Sequence, residues 1–213
     1  MRLQYRTVVE SVFVAAIALL DFSCRTQAVQ NIERCIDDNG WPKLAELREG
    51  RALPSPDGRL ALSCDTGQDD SGYPIHSLYV CNSANGQKEK VFEYCRSVWA
   101  VWAPDSQHFF LNWKNDPDEM TCLIFAPRLE TNPVDLNAML IDIAARDTWF
   151  ENMQHEQCSI FGVQWNDKTS IDISIPGTLF NENGKWSKSF RLFLRYKLGD
   201  GFIKLGKKVR TPE

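Results

Sequence analysis

Hydrophobic positions along this chain gather in short runs, each set off by turn-forming residues. Arg59-Leu60-Ala61-Leu62-Ser63-Cys64 follows the turn Pro54-Ser55-Pro56-Asp57-Gly58. His108-Phe109-Phe110-Leu111-Asn112-Trp113 follows Trp102-Ala103-Pro104-Asp105-Ser106, and Ser170-Ile171-Asp172-Ile173-Ser174-Ile175 follows Gln164-Trp165-Asn166-Asp167-Lys168. Alternating or continuous apolar residues behind a turn predict a strand. In the turn, proline presets φ, aspartate bonds its own downstream backbone, and Gly or Ser closes the bend. A second apolar segment follows in each case: Leu78–Cys81, Met139–Ile143 and Phe193–Tyr196. Each second segment runs into a turn, at Ala84–Gln87, Ala144–Asp147 and Leu198–Gly201. A third short apolar piece then follows, at Val91-Phe92, Trp149-Phe150 and Phe202-Ile203.

The unit of turn, strand, loop, strand, turn and strand is thus used three times. Its copies start 48 residues apart (Ser55 to Ala103) and then 62 apart (Ala103 to Trp165). The longer interval places an insertion between Asn115 and Asn137, whose run Thr121–Phe125 predicts a further strand between acidic loops. Repeats of this size signal propellers or stacked arrays. Ser-Pro-Asp-Gly ahead of an apolar strand, with a second strand ending in a polar turn, resembles the TolB-type, WD-repeat-like β-propeller unit from Leu53 to about Leu205. The resemblance implies four-stranded blades and mostly binding roles; it brings no universal catalytic residues, so none is carried over. Closed propellers typically need at least about four blades. The expected fold is therefore all-β, either an incomplete propeller-like array or a two-sheet sandwich of antiparallel meanders, with short N-terminal helices. Residues 51–213 form this β-repeat domain.

Residues 29–50 carry the helical character. Ile32, Cys35 and Ile36 have helical spacing that Asn39-Gly40 stops, and Pro42 with Leu44–Leu47 reads as a second short helix ended by Gly50. This segment is expected to lie across the sheets and cover an edge or an open end. Ahead of it, residues 1–28 read as an export signal: Arg2 and Arg6, then the apolar run Val12–Leu20, too short for a mature membrane span. Thr26-Gln27-Ala28 offers a cleavage site before Val29. Cys24 offers a competing lipidation site, although Asp21 stands where that pattern wants an aliphatic residue. The uncleaved segment acting as an anchor is the third alternative. The expected location is periplasmic or secreted, with lipid anchoring as the variant, and membrane contact only through the uncleaved signal or a lipidated Cys24.

Cysteine usage fits export. Apart from Cys24, six cysteines remain, an even number that suits three disulfides. Cys64 with Cys81 lie on consecutive strands; Cys95 and Cys158 each precede a turn tryptophan by seven residues; Cys35 with Cys122 would complete the set. Several of these could equally be buried free thiols. The net charge of −4 and the lack of a basic run argue against nucleic acid as the main partner.

Candidate chemistry is sparse. His76, His108 and His155 sit in no metal-ligand or hydrolase motif, and no nucleophile elbow or Gly-rich phosphate loop occurs. No catalytic residue, metal ligand or cofactor is assigned. Asp65, Asp69 and Asp70 share one loop, but not at the spacing of a calcium loop. Asp116, Asp118 and Glu119 border the insertion strand. Trp99, Trp102, Trp113 and Trp165 fall in or beside strands, where packing is their default role; Trp186, after Asn183-Gly184-Lys185, marks a hairpin tip where an aromatic can anchor a partner. Loops on a rigid β scaffold are usual binding elements, so these acidic residues and Trp186 are the binding candidates. The expected function is an exported, non-enzymatic protein-binding module that meets another protein of the cell envelope, in one version an immunity-type inhibitor of a periplasmic toxin. The alternatives are an envelope-polymer hydrolase, using carboxylates among Asp65, Asp69, Asp116 and Asp172, and a structural component of an envelope assembly.

Overall fold

The computed structural model describes residues 25, 27–37, 42–44, 46–116, 119–126, 132–144, 159–180 and 186–210; of 115, 141–144, 178–180, 186–188 and 207–210 it describes the backbone alone. The apolar leader run, Cys24, Asp118, the Trp149-Phe150 piece, His155 and Cys158 lie outside the described residues.

Three four-stranded antiparallel sheets follow one another in chain order. The first holds β1 (Leu53–Pro54), β2 (Leu60–Gln68), β3 (Pro74–Asn82) and β4 (Lys88–Tyr94). The second holds β5 (Val98–Trp102), β6 (Phe109–Asp116), β7 (Glu119–Phe125) and β8 (Val134–Asp135). The third holds β9 (Phe161–Trp165), β10 (Ser170–Phe180), β11 (Trp186–Lys197) and β12 (Gly201–Arg210). Within each sheet, strands adjacent in sequence pair with one another. The fold is all-β, and its meanders make three sheets rather than two; among the described residues they do not close into a ring.

Each repeated turn is the bend between the first and second strands of a sheet. In all three, the aspartate Oδ1 accepts the backbone N–H two residues on: Asp57 from Arg59, Asp105 from Gln107, Asp167 from Thr169. The shared chemistry is the aspartate, which explains why the third copy survives without proline. Gly58 and Ser106 occupy equivalent left-handed positions, with φ of 70° and 59°. The sheets are linked in a matching way. The Trp102 indole N–H donates to the Leu53 carbonyl at 3.0 Å, and the Trp165 indole to the Val101 carbonyl at 3.0 Å. Each bond joins the first strand of one sheet to the first strand of the sheet before it.

Strand alternation divides the second sheet between two interiors. Phe109, Leu111, Leu123 and Phe125 face the first sheet, against Leu62, Leu78 and Val80. Phe110, Cys122 and Ile124 face the third, against Ile171, Ile173, Ile175 and Leu194. Burying one such large side chain stabilises by about 1.5–3 kcal/mol. The outer face of the third sheet is covered by helix α1, residues 27–34: Ile32 and, just beyond it, Ile36 pack on Val163 and Phe193. The outer face of the first sheet is polar, with Lys88 paired to Asp65 and Lys90 to Glu93, as suits the end of a stack.

Several expectations are corrected. Thr121–Phe125 belongs to β7, the third strand of the second sheet, because Asp116 pairs directly with Glu119 in a tight hairpin. The additional residues of the second unit therefore come after Phe125. Met139–Ile143 is not a strand but part of helix α2, Leu136–Ala144. Asp135 caps it by accepting the N–H groups of Asn137 and Ala138, and Leu136 and Leu140, one turn apart, are both buried. Asn137 then acts as a strand substitute, accepting from Cys122 N–H and donating to the Met120 carbonyl.

Pro42–Leu47 is extended where described, bridging Ile36 to Pro42 and Glu46 to Trp99; pairing with the edge of β5 replaces helix formation there. Among the described residues no helix is long and apolar enough to cross a membrane.

The five described cysteines form no disulfide. Cys64 faces Leu78 while Cys81 faces Ala61, three positions apart and on opposite faces of the sheet. Cys35 lies under α1 with its thiol on Gln164 Oε1, whereas Cys122 is in the core on the other side of the third sheet. Burial pushes the Cys122 thiol up to about 12, so it behaves as a small hydrophobe. The partner suggested for Cys95, Cys158, is not among the described residues, and Cys95 is exposed.

Candidate functional site

The two ends of the stack differ. At the bend end, neighbouring turns touch: Asp57 N–H donates to Ser106 Oγ at 3.0 Å, and the His108 ring lies 6.4 Å from that of Trp165. His108 Nδ1 also meets Asp105 Oδ2 at 2.9 Å. Burial disfavours the Asp105 charge, but the Gln107 N–H and the His108 ring outweigh it and hold the carboxyl below its usual value. This end is tied together internally.

The opposite end carries the hairpins that join second to third strands, and most of the binding candidates fall there. Asp69 and Asp70 lie in the β2–β3 hairpin, where Asp69 Oδ1 accepts from Ser71 and Tyr73 N–H and so shapes the loop. Asp116 and Glu119 face each other across the β6–β7 hairpin. Trp186 opens β11 opposite Phe180 at the β10–β11 hairpin. Asp65 stands apart, in the strand itself, on the outer face with Lys88.

Of the carboxylates named for hydrolysis, Asp65 and Asp172 lie on different sheets. Asp172 is 1% exposed, bound by Arg195 Nε at 2.7 Å and Gln164 Nε2 at 3.1 Å on the third sheet, and the second sheet stands between it and Asp65. A buried carboxylate in a close Arg pair is a structural charge. Among the described residues no three His, Cys, Asp or Glu side chains are placed to hold a metal.

Beside the hairpins lies a cleft of about 460 Å³ between the first and second sheets. One wall is the N-terminal segment. Leu47 N–H donates to the Val98 carbonyl, which fixes Glu46 and Arg48 beside β5. Arg48 donates through Nε and Nη2 to Glu46 Oε2 at 3.0 and 2.8 Å. The Ser97 hydroxyl, then Arg48, hold the Glu46 carboxyl below its usual value. The other wall is aromatic: His76 and Tyr94 are cross-strand partners whose rings stack at 5.0 Å, with His76 Nδ1 3.1 Å from Thr66 Oγ1. Arg96 and Lys114 complete the lining, with Lys114 N–H on the Ser97 carbonyl. Tyr94 is 4% exposed, and its hydroxyl is buried without a hydrogen-bond partner; burial, with the Cys64 thiol beside it, raises its pKa far above the ordinary phenol.

Sequence reasoning missed this cleft. Its residues come from five separate stretches; the sequence marks His76 only as a histidine outside any motif and Cys64 only as a disulfide candidate. No signal in one sequence joins Glu46 to Tyr94 or Lys114. No protein-family model matches the chain, and no curated protein matches it.

Proposed function

We propose that the chain is an exported, non-enzymatic binding module whose partner is another protein of the cell envelope, one version being an immunity-type inhibitor of a toxin that reaches the periplasm. The observation that carries this reading is the sharing of one end of the stack by the hairpins of Asp69 and Asp70, of Asp116 and Glu119, and of Trp186. An acidic loop surface on a rigid β scaffold suits a basic protein face. The separation of Asp65 from Asp172 speaks against that pair as the two carboxylates of a hydrolase. The test is affinity capture from envelope extract with the full chain and with a variant carrying Asp69→Lys, Asp70→Lys, Asp116→Lys and Glu119→Lys. A protein retained by the first and lost by the second is expected. Equal recovery by both, or no specific protein across ionic strengths, overturns the reading.

A further inference from the structure

We propose that the cavity lined by Pro42, Trp99, Asn112, Met120 and Phe161 binds a small apolar molecule the size of a single hydrocarbon ring. A ligand there is independent of the protein partner proposed for the acidic hairpins.

Size and depth single this space out. It measures about 180 Å³, whereas protein interiors are close-packed and leave few voids larger than a water molecule. Asn112, Met120 and Phe161 are buried and form its floor; Trp99 and Pro42 are half-buried and form its mouth. Trp99 and Asn112 are register partners on β5 and β6, and Phe161 opens β9, so the cavity lies between the second and third sheets. Its volume falls short of the roughly 300 Å³ at which sites for larger ligands begin. It is close to the roughly 150 Å³ of an apolar cavity that takes up benzene.

The chemistry of the lining selects the ligand class. No lining side chain carries a charge. Asn112 brings the one carboxamide, and both its polar atoms are spent on the backbone of Gly162. Pro42, Met120 and Phe161 bring apolar surface, and Trp99 brings the face of its indole. A charged ligand would lose its hydration there without replacement. A ring gains contact with the aromatic surface of Trp99 and Phe161, and the unbranched Met120 chain adapts to its outline.

The experiment titrates the full chain with benzene and, in a separate arm, with benzoate at matched ionic strength. Backbone amide shifts are followed by NMR. Saturable shifts centred on residues 99, 112, 120 and 161 are expected with benzene. None is expected there with benzoate, which adds a charge to the same ring. Met120→Phe fills the space, so it should weaken benzene binding about tenfold or more while the thermal midpoint holds or rises. Trp99→Ala removes aromatic surface at the half-buried mouth and should also weaken the binding about tenfold; it reads the site even if phenylalanine at position 120 overpacks the floor. Non-specific partitioning would spread the shifts over the core and let them grow without saturating. The proposal is overturned by that result, by benzoate binding as tightly as benzene, or by Trp99→Ala binding benzene as tightly as the parent.

Discussion

Replacing Asn112 with leucine should be among the most damaging single changes in the protein. Asn112 is 2% exposed, on the face of β6 that looks toward the third sheet. Its Nδ2 donates to the Gly162 carbonyl at 2.7 Å, and its Oδ1 accepts from the Gly162 N–H at 2.8 Å. The side chain therefore satisfies both backbone groups of a residue in β9, in the region where the β9–β10 register shifts. Leucine has a similar outline but offers no polar atom. It would leave a buried donor and a buried acceptor unpaired, at about 1–3 kcal/mol each, or about 2–6 kcal/mol together. A domain of this size is stable by only about 5–15 kcal/mol, and each kcal/mol moves its midpoint by about 2–4 °C, so a fall of about 4–24 °C is expected.

Thermal unfolding followed by circular dichroism, checked against urea midpoints at constant m, measures it. Asn112→Ala is the informative companion. It opens space beside a neighbouring cavity of about 180 Å³, so water can reach the Gly162 groups, and the loss should be smaller than with leucine. Packing alone predicts the reverse order, since leucine fills more volume. Finding alanine clearly worse than leucine, or a leucine shift under about 2 °C, would refute the argument.

Three other outcomes are expected. Ser106→Ala keeps the left-handed backbone but removes the acceptor of Asp57 N–H, and should cost about 1–2 kcal/mol, whereas Ser106→Gly relaxes the backbone and should cost measurably less in the same urea titration. Gly177→Ala would set its Cβ 2.2 Å from Phe190 Cζ, and the Phe190 ring is held in the core at 4% exposure. A loss of about 1–3 kcal/mol is expected, partly recovered by Phe190→Leu in a double-mutant cycle. For Asp105 and Asp167, burial opposes the charge, but N–H and hydroxyl donors prevail and the folded pKa is lowered. Their stabilisation is complete above the unfolded value near about 4 and is lost as pH falls through the lowered one. The urea midpoint should therefore decline on acidification below that value, and less steeply in Asp105→Asn, which keeps a neutral acceptor.

The repeated bends were legible because their cause is local. One aspartate oxygen reaches the N–H two residues on, so Asp57, Asp105 and Asp167 mark the bends whatever stands around them. The apolar run Met139–Ile143 was misread because a short run has no period that separates a buried helix from a buried strand. Two longer-range facts decide it: the Asp135 cap and the attachment of Asn137 to the edge of β7. Pro42–Leu47 was misread for the same kind of reason, since its partner is β5, some fifty positions away. The cleft was invisible because residues as ordinary as Glu46, Tyr94 and Lys114 acquire meaning only when the sheets stack.

The indole bonds give the assembly a direction. Trp102 and Trp165 each hold on to the unit ahead of them, while Pro54, at the corresponding place in the first unit, has no N–H to give. The series thus begins with a member that needs no predecessor and ends under a helical lid. Docking a further sheet beyond the third would require displacing α1 from its outer face.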